Sequence, residues 1–171
     1  MDELILKITS EDIEERQDVA YELGQTENPN AVPYLVKMLS DPDLYVRIYA
    51  IQGLRDIPDK SAVQPLCTIL QSNLHQPLIV SNVCRALGEI RDSAAVPFLS
   101  KLLEHHESFV RYDAAFALGE IGDTDAIQSL EFLYNDKSMP SRKDEGGGAV
   151  HTIYSVGQQA KRAVEMIKGE I

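Results

Sequence analysis

The feature that most constrains this 171-residue chain is that its sequence repeats. Four segments superimpose column by column: Ala20-Tyr21-Glu22-Leu23-Gly24, Ile51-Gln52-Gly53-Leu54-Arg55, Arg85-Ala86-Leu87-Gly88-Glu89-Ile90 and Phe116-Ala117-Leu118-Gly119-Glu120-Ile121. A weaker fifth copy reads Ile153-Tyr154-Ser155-Val156-Gly157. Taking the Leu or Val as anchor, the successive steps from Leu23 through Leu54, Leu87 and Leu118 to Val156 are 31, 33, 31 and 38 residues. Eight residues after the anchor stand Ala31-Val32, Ala62-Val63, Ala95-Val96 and Ala126-Ile127. Twelve after it come Leu35, Leu66, Leu99 and Leu130, and fifteen after it Met38, Ile69, Leu102 and Leu133. A period near 30 residues with this many matched columns means stacked supersecondary units, each too small to bury its apolar face alone.

Each unit reads as two helices. The first follows Ala-Val-x-x-Leu-x-x-Leu-Leu, apolar at i, i+3 and i+4, with Pro33 and Pro97 in the first turn, where a missing N–H costs nothing. A polar turn such as Ser40-Asp41-Pro42-Asp43 follows, and the second helix runs from Val46-Arg47 or Val110-Arg111 to just past the anchor. Small residues at Ala20, Ala50, Cys84 and Ala114 let neighbouring helices approach closely, and Gly122-Asp123 supplies a chain reversal. No segment alternates with the two-residue period of a strand. The expected fold is all-α, a right-handed α-solenoid (an α-α superhelix) of about five helical hairpins. It forms a single domain over 1–171, with units about 2–28, 29–58, 59–91, 92–122 and 123–171 and a loop insertion near 136–148.

The pattern Val-Arg-x-x-Ala-Ala-x-Ala-Leu-Gly-x-Ile-Gly-Asp is complete from Val110-Arg111 to Gly122-Asp123. It resembles the HEAT-like repeat of the phycobilisome (PBS) lyase family, and the resemblance covers essentially the whole chain. It implies HEAT-like hairpins packed in the armadillo-like manner, with the second helices lining a concave surface. Repeats of this kind occur in bilin lyases, in factors that assemble or degrade phycobilisomes, in deoxyhypusine hydroxylase and in plain scaffolds, so the resemblance implies a fold before it implies a reaction.

On the second helices, the positions nine, five and two before the anchor and two after it share one face, since spacings of four, three and four follow a helix stripe. They are Glu14, Asp18, Tyr21 and Gln25; Tyr45, Tyr49, Gln52 and Asp56; Leu78, Asn82, Arg85 and Glu89; Phe109, Asp113, Phe116 and Glu120; and Gly147, His151, Tyr154 and Gln158. Ile48 and Tyr112 flank the stripe, so five of the seven tyrosines lie on or beside it. Its charges are Glu14, Asp18, Asp56, Glu89, Asp113 and Glu120 against Arg85 alone. Tyrosines among scattered carboxylates suit a protein partner with basic and apolar groups. The expected contact residues are Tyr21, Tyr45, Tyr49, Asp56, Arg85, Phe109, Tyr112, Asp113, Phe116, Glu120, His151 and Tyr154.

Charge excludes other partners. With 27 acidic against 16 basic residues the net charge is −11, the wrong sign for a nucleic acid, whose phosphates need Lys and Arg, and for an anionic membrane surface. No apolar run reaches the ~20 residues that span a bilayer. Met1-Asp2-Glu3-Leu4-Ile5-Leu6-Lys7 lacks the basic start of a signal peptide, so the expected location is cytoplasmic.

Candidate chemistry is sparse. The hydroxylase resemblance implies His-Glu pairs six and five residues before the anchor, holding two irons. Those positions carry Gln17-Asp18, Ile48-Tyr49, Ser81-Asn82 and Tyr112-Asp113, without a histidine. A di-iron enzyme of that type is therefore rejected, and neither a metal nor a cofactor is expected. His105-His106-Glu107 reads as a solvated turn, His75 lies in a longer turn between helices, and Cys67 and Cys84 read as small inward residues. The recurring Arg16, Arg47 and Arg111 read as clips from one repeat to the acidic turn of the next. The stretch ending in Gly146-Gly147-Gly148 matches no phosphate-binding motif, and is either a tolerated insertion or a lid ordered by a partner. The leading expectation is a non-catalytic protein-binding scaffold or adaptor, with no catalytic residue. The alternative is a phycobilisome-related factor, either a bilin lyase subunit or a phycobiliprotein chaperone, with a phycobiliprotein as partner.

Overall fold

The computed structural model describes residues 2–140 and 154–171. It divides into two compact units, Met1–Ile90 and Arg91–Ile171. Ten α-helices and no strand occur among the described residues, and the chain is an all-α protein of five tandem hairpins.

Unit 1 holds α1 (Asp2–Lys7), α2 (Ile13–Gln25), α3 (Val32–Met38), α4 (Leu44–Asp56), α5 (Val63–Ser72) and α6 (Pro77–Ile90). The long second helices stack as a row, α2 on α4 and α4 on α6, while α3 packs on α4 and α5 on α6. Unit 2 holds α7 (Val96–Leu102), α8 (Ser108–Ile121), α9 (Ile127–Glu131) and α10 (Val156–Lys168), with α8 packed on α7 and α10.

The repeated columns are the core. Leu23, Leu54, Leu87 and Leu118 are fully buried, as are Leu35, Leu66, Leu99 and Leu130, and Ala31, Ala62, Ala95 and Ala126. Each leucine removed from water contributes about 2 kcal/mol, and each alanine allows the helices to close up around it. A further column sits five residues after the anchor. Asn28, Asp59, Asp92 and Asp123 each accept the N–H two residues ahead, at 3.0, 2.8, 2.9 and 2.9 Å. They cap short 3-10 turns that lead into α3, α5, α7 and α9, satisfying donors the helix start leaves open.

The arginines act as clips. Arg16 on α2 grips Asp41 through Nε and Nη2 at 2.8 and 3.2 Å, and its Nη1 donates to the Ser10 carbonyl at 2.7 Å. Arg111 on α8 repeats this with Asp136 at 2.9 Å and the His105 carbonyl at 2.7 Å. In the middle clip Gln76 replaces the aspartate, and Arg47 reaches it at 3.2 Å while leaving its buried Nε without a partner.

The last repeat departs from its spacing. The 38-residue step predicts Val156 in the anchor column, with Gly147, His151, Tyr154 and Gln158 on the stripe. In the structure Val156 is instead the first residue of α10, because Ser155 forms a capping box: its hydroxyl accepts from the Gln158 N–H at 3.3 Å, and its own N–H donates to the Gln158 side chain at 2.7 Å. Packing sets the true register. A Cβ on Gly24 would lie 2.8 Å from Gly53 Cα, and one on Gly119 would lie 3.0 Å from Ala163 Cα. Ala163 therefore occupies the place of Gly53, and buried Val164 the place of Leu54. Gly157 seats the start of α10 on the end of α9, where a Cβ would fall within 2.8 Å of the carbonyls of Leu133, Tyr134 and Asp136.

Candidate functional site

The tyrosine face of unit 1 begins with two glycines. Gly24 and Gly53 let the backbones of α2 and α4 cross almost in contact, and that crossing brings the neighbouring Tyr21 and Tyr49 together. Their ring centroids lie 6.1 Å apart at 72°, an edge-to-face pair of the geometry aromatic quadrupoles favour. Tyr21 is 54% exposed and Tyr45, one turn before Tyr49, is 47% exposed. Glu14, Asp18 and Gln25 on α2 are exposed beside them, and Tyr49 and Gln52 are half-buried. At the far end of α4 Asp56 is exposed and pairs with Arg55 at 2.8 Å. On α6 Arg85 and Asn82 are half-buried, and the Asn82 amide donates to the Leu78 carbonyl at 2.9 Å. The stripe expected on α2, α4 and α6 thus lies at the surface of unit 1.

Unit 2 is different. Phe109, Tyr112 and Phe116 on α8 are half-buried. Asp113, expected as an exposed rim carboxylate, is 3% exposed. Asp113 is therefore corrected from the exposed face to the buried residues of α8, a helix packed against both α7 and α10. Glu120 is held by Arg91, which the repeat pattern did not single out. Arg91 sits with φ +55° at the same place after its anchor as Gly122, φ +76°; the glycine in that column is the signal that could have marked the turn, since left-handed backbone favours glycine. Tyr154 is exposed but precedes α10 instead of lying on a helix face, which corrects its place on the stripe. The Arg162 guanidinium sits 5.8 Å from its ring centroid, and Lys161 lies 5.5 Å from that of Tyr134. With Gln158 and Glu165, these cations and Tyr154 line a shallow pocket. His151 lies outside the described residues, as does the Gly146-Gly147-Gly148 run.

The remaining candidates have structural work. His105 accepts the Glu107 N–H through Nδ1 at 3.1 Å, as Asp41 accepts that of Asp43 at 2.9 Å, and its ring stacks on His106 at 4.3 Å. His75 is exposed in its turn. Cys67 and Cys84 are buried, and burial pushes the Cys67 thiol up to about 11, so at neutral pH it is not a thiolate nucleophile. Among the described residues no cluster of three His, Cys, Asp or Glu side chains is placed to hold a metal, and no helix is long and apolar enough to cross a membrane.

The family described as HEAT repeats matches residues 1–79 and 76–145, and the chain belongs to it. Phycocyanobilin lyase subunit alpha of Nostoc sp. is 34% identical over 116 residues, which is 62% of this chain and 42% of that protein. Bilin biosynthesis protein PecE of Nostoc sp. is 38% identical over 101 residues, 58% of this chain and 39% of that protein. The chain therefore spans about two fifths of the length of these relatives. Among solved structures, a chain from the complex of CpcE and CpcF of phycocyanin lyase from Nostoc sp. matches with a TM-score of 0.65 at 28% identity, over 81% of this chain and 59% of that one. The resemblance to phycobilisome-lyase HEAT-like repeats is borne out.

Proposed function

We propose that this HEAT-repeat chain is a bilin lyase-type subunit whose share of the work is to hold a phycobiliprotein, through the tyrosine- and carboxylate-bearing faces of its second helices. The observation that carries this is the similarity of more than half of the chain to two proteins of bilin attachment and biosynthesis. Assembly with a second lyase subunit follows the example of CpcE with CpcF. A holding role, as opposed to a covalent one, is supported by the thiols: Cys67 and Cys84 are both buried and neither offers a sulfur for bilin attachment. Exposed Tyr21 and Tyr45 supply large contact area at little cost in side-chain freedom.

The test mixes the purified chain with apo-phycocyanin subunits and follows complex formation by gel filtration and calorimetry. Binding is expected, and a Tyr21→Ala plus Tyr45→Ala variant that stays folded by circular dichroism should bind about tenfold or more weakly, the loss expected for central aromatic contacts. No binding of any phycobiliprotein subunit by the wild-type chain, alone or with a second lyase subunit, refutes the proposal. Capture of unrelated proteins on the same face would instead favour a general scaffold.

A further inference from the structure

The face of unit 1 carries groups with a chemistry narrower than that of a protein contact in general. Asp18 stands one turn before Tyr21 on α2, so carboxylate and ring share one side of the helix. Glu14 extends the same line by another turn, and Tyr45 and Tyr49 run parallel to it on α4. Among the described residues, the side chains of Glu14, Asp18, Tyr21 and Tyr45 have no hydrogen-bond or ion-pair partner. The basic groups of these two helices are already engaged: Arg16 holds Asp41, Arg47 holds the Asp41 carbonyl and Gln76, and Arg55 holds Asp56. The face therefore presents uncompensated negative charge beside the negative faces of tyrosine rings.

That combination favours a cation with a flat, weakly hydrated body. A guanidinium stacks on a tyrosine face while its N–H groups reach a carboxylate, and an ammonium does the same with less directional fit. An anionic group is repelled by Asp18 and Glu14 and meets no free cation on these two helices, only the phenol hydroxyls and the neutral amides of Gln25 and Gln52. A tetrapyrrole bearing propionates is such an anion. We infer that the face formed by Glu14, Asp18, Tyr21, Tyr45 and Tyr49 takes arginine side chains projecting from the partner polypeptide, and that it does not take the chromophore. The inference rests on the holding role proposed above and names the chemistry of what is held.

The experiment uses the full chain and three probes. The first is an amidated 12-residue peptide of Ala, Leu and Arg with its arginines three and four residues apart. The second is the same peptide with Glu in place of every Arg. The third is phycocyanobilin. Ring signals of Tyr21, Tyr45 and Tyr49 are followed by NMR. The arginine peptide should shift all three, with an affinity that falls about three- to tenfold in Asp18→Asn and again on raising salt through the range where exposed charges are screened. The glutamate peptide and phycocyanobilin should leave these rings unmoved. Equal binding of the two peptides, shifts that map to other residues, unchanged affinity in Asp18→Asn, or phycocyanobilin shifting the same rings would each overturn the inference. A chain that binds the arginine peptide here but binds no phycobiliprotein subunit, alone or with a second lyase subunit, supports the arginine chemistry of this face and removes the lyase-type reading. A chain that binds apo-phycocyanin equally well with Asp18→Asn does the reverse.

Discussion

Replacing Gly24 by Ala tests how the tyrosine pair is made. A Cβ at position 24 would lie 2.8 Å from Gly53 Cα, which is main chain and cannot rotate away. Carbon atoms rest about 3.5 to 4.0 Å apart, so α2 and α4 must separate locally by about 1 Å. Overpacking of this size costs about 1 to 3 kcal/mol. Against it, alanine in mid-helix gains about 0.5 to 1 kcal/mol over glycine. The net effect is a loss of up to about 2.5 kcal/mol, and at 2 to 4 °C per kcal/mol for a chain of this size the melting temperature should fall by up to about 10 °C. Circular dichroism measures the melting, and ring-to-ring NOEs between Tyr21 and Tyr49 report whether the pair has parted. Gly122→Ala is the control: its φ of +76° strains an alanine, but no atom lies within 4 Å of the new methyl, so it should lower stability without touching the tyrosines. A Gly24→Ala protein that melts at or above wild type with its ring contacts intact would show that helix propensity outweighs the crossing, and that glycine contact does not position the pair.

Asp43 is held below the ordinary aspartate value of 3.8, chiefly by the Val46 N–H. Asp136 is lowered as well, burial pushing it up but the hydrogen bonds from Ser138 and Arg111 outweighing that. A depressed carboxylate stabilises the fold fully above its unfolded value and loses that contribution as pH falls through its folded one, so calorimetry between about pH 2 and 5 should show wild type losing stability more steeply than Asp43→Asn; parallel curves would contradict this. With its thiol pushed up to about 11, Cys67 should resist maleimide at neutral pH until the chain is denatured, and prompt labelling of the native protein would show the site to be open. Asp113→Lys should destabilise unit 2 by about 3 kcal/mol or more, since it forces a cation into a buried position, whereas Asp18→Lys on the exposed face should stay within about 0.5 kcal/mol of wild type; equal melting of the two variants would refute the difference in burial.

The repeat settled the fold because each hairpin is specified locally. A leucine every 31 or 33 residues, with an alanine eight and a leucine twelve residues on, can be satisfied by one packing, and the structure buries all of these columns. The arginine clips were legible for the same reason: Arg16 and Arg111 each follow an acidic or polar turn at fixed distance, and the partner aspartate lies at the same point of the next turn. The tyrosine stripe on α2 and α4 was legible as helix periodicity, since Tyr21, Tyr45 and Tyr49 fall on one side of a 3.6-residue turn.

What periodicity could not determine is where the ruler breaks and which neighbour covers a face. The chain between α9 and α10 lengthens the last repeat, and the 38-residue step misplaces its anchor because Ile153-Tyr154-Ser155-Val156-Gly157 imitates a helix end, whereas the Ser155 cap makes it a helix start. That shift put Tyr154 ahead of the helix. The burial of Asp113, unlike that of Asp18 at the same repeat position, is likewise a tertiary result: the two residues occupy one column in sequence, and their exposure differs because burial is set by what packs against a helix, not by its own pattern. The approach of Tyr21 to Tyr49 is tertiary for the same reason. Two glycines in separate helices carry no local signal of contact until the helices cross, and only that crossing, at backbone distance, turns two tyrosines 28 residues apart into a single edge-to-face pair.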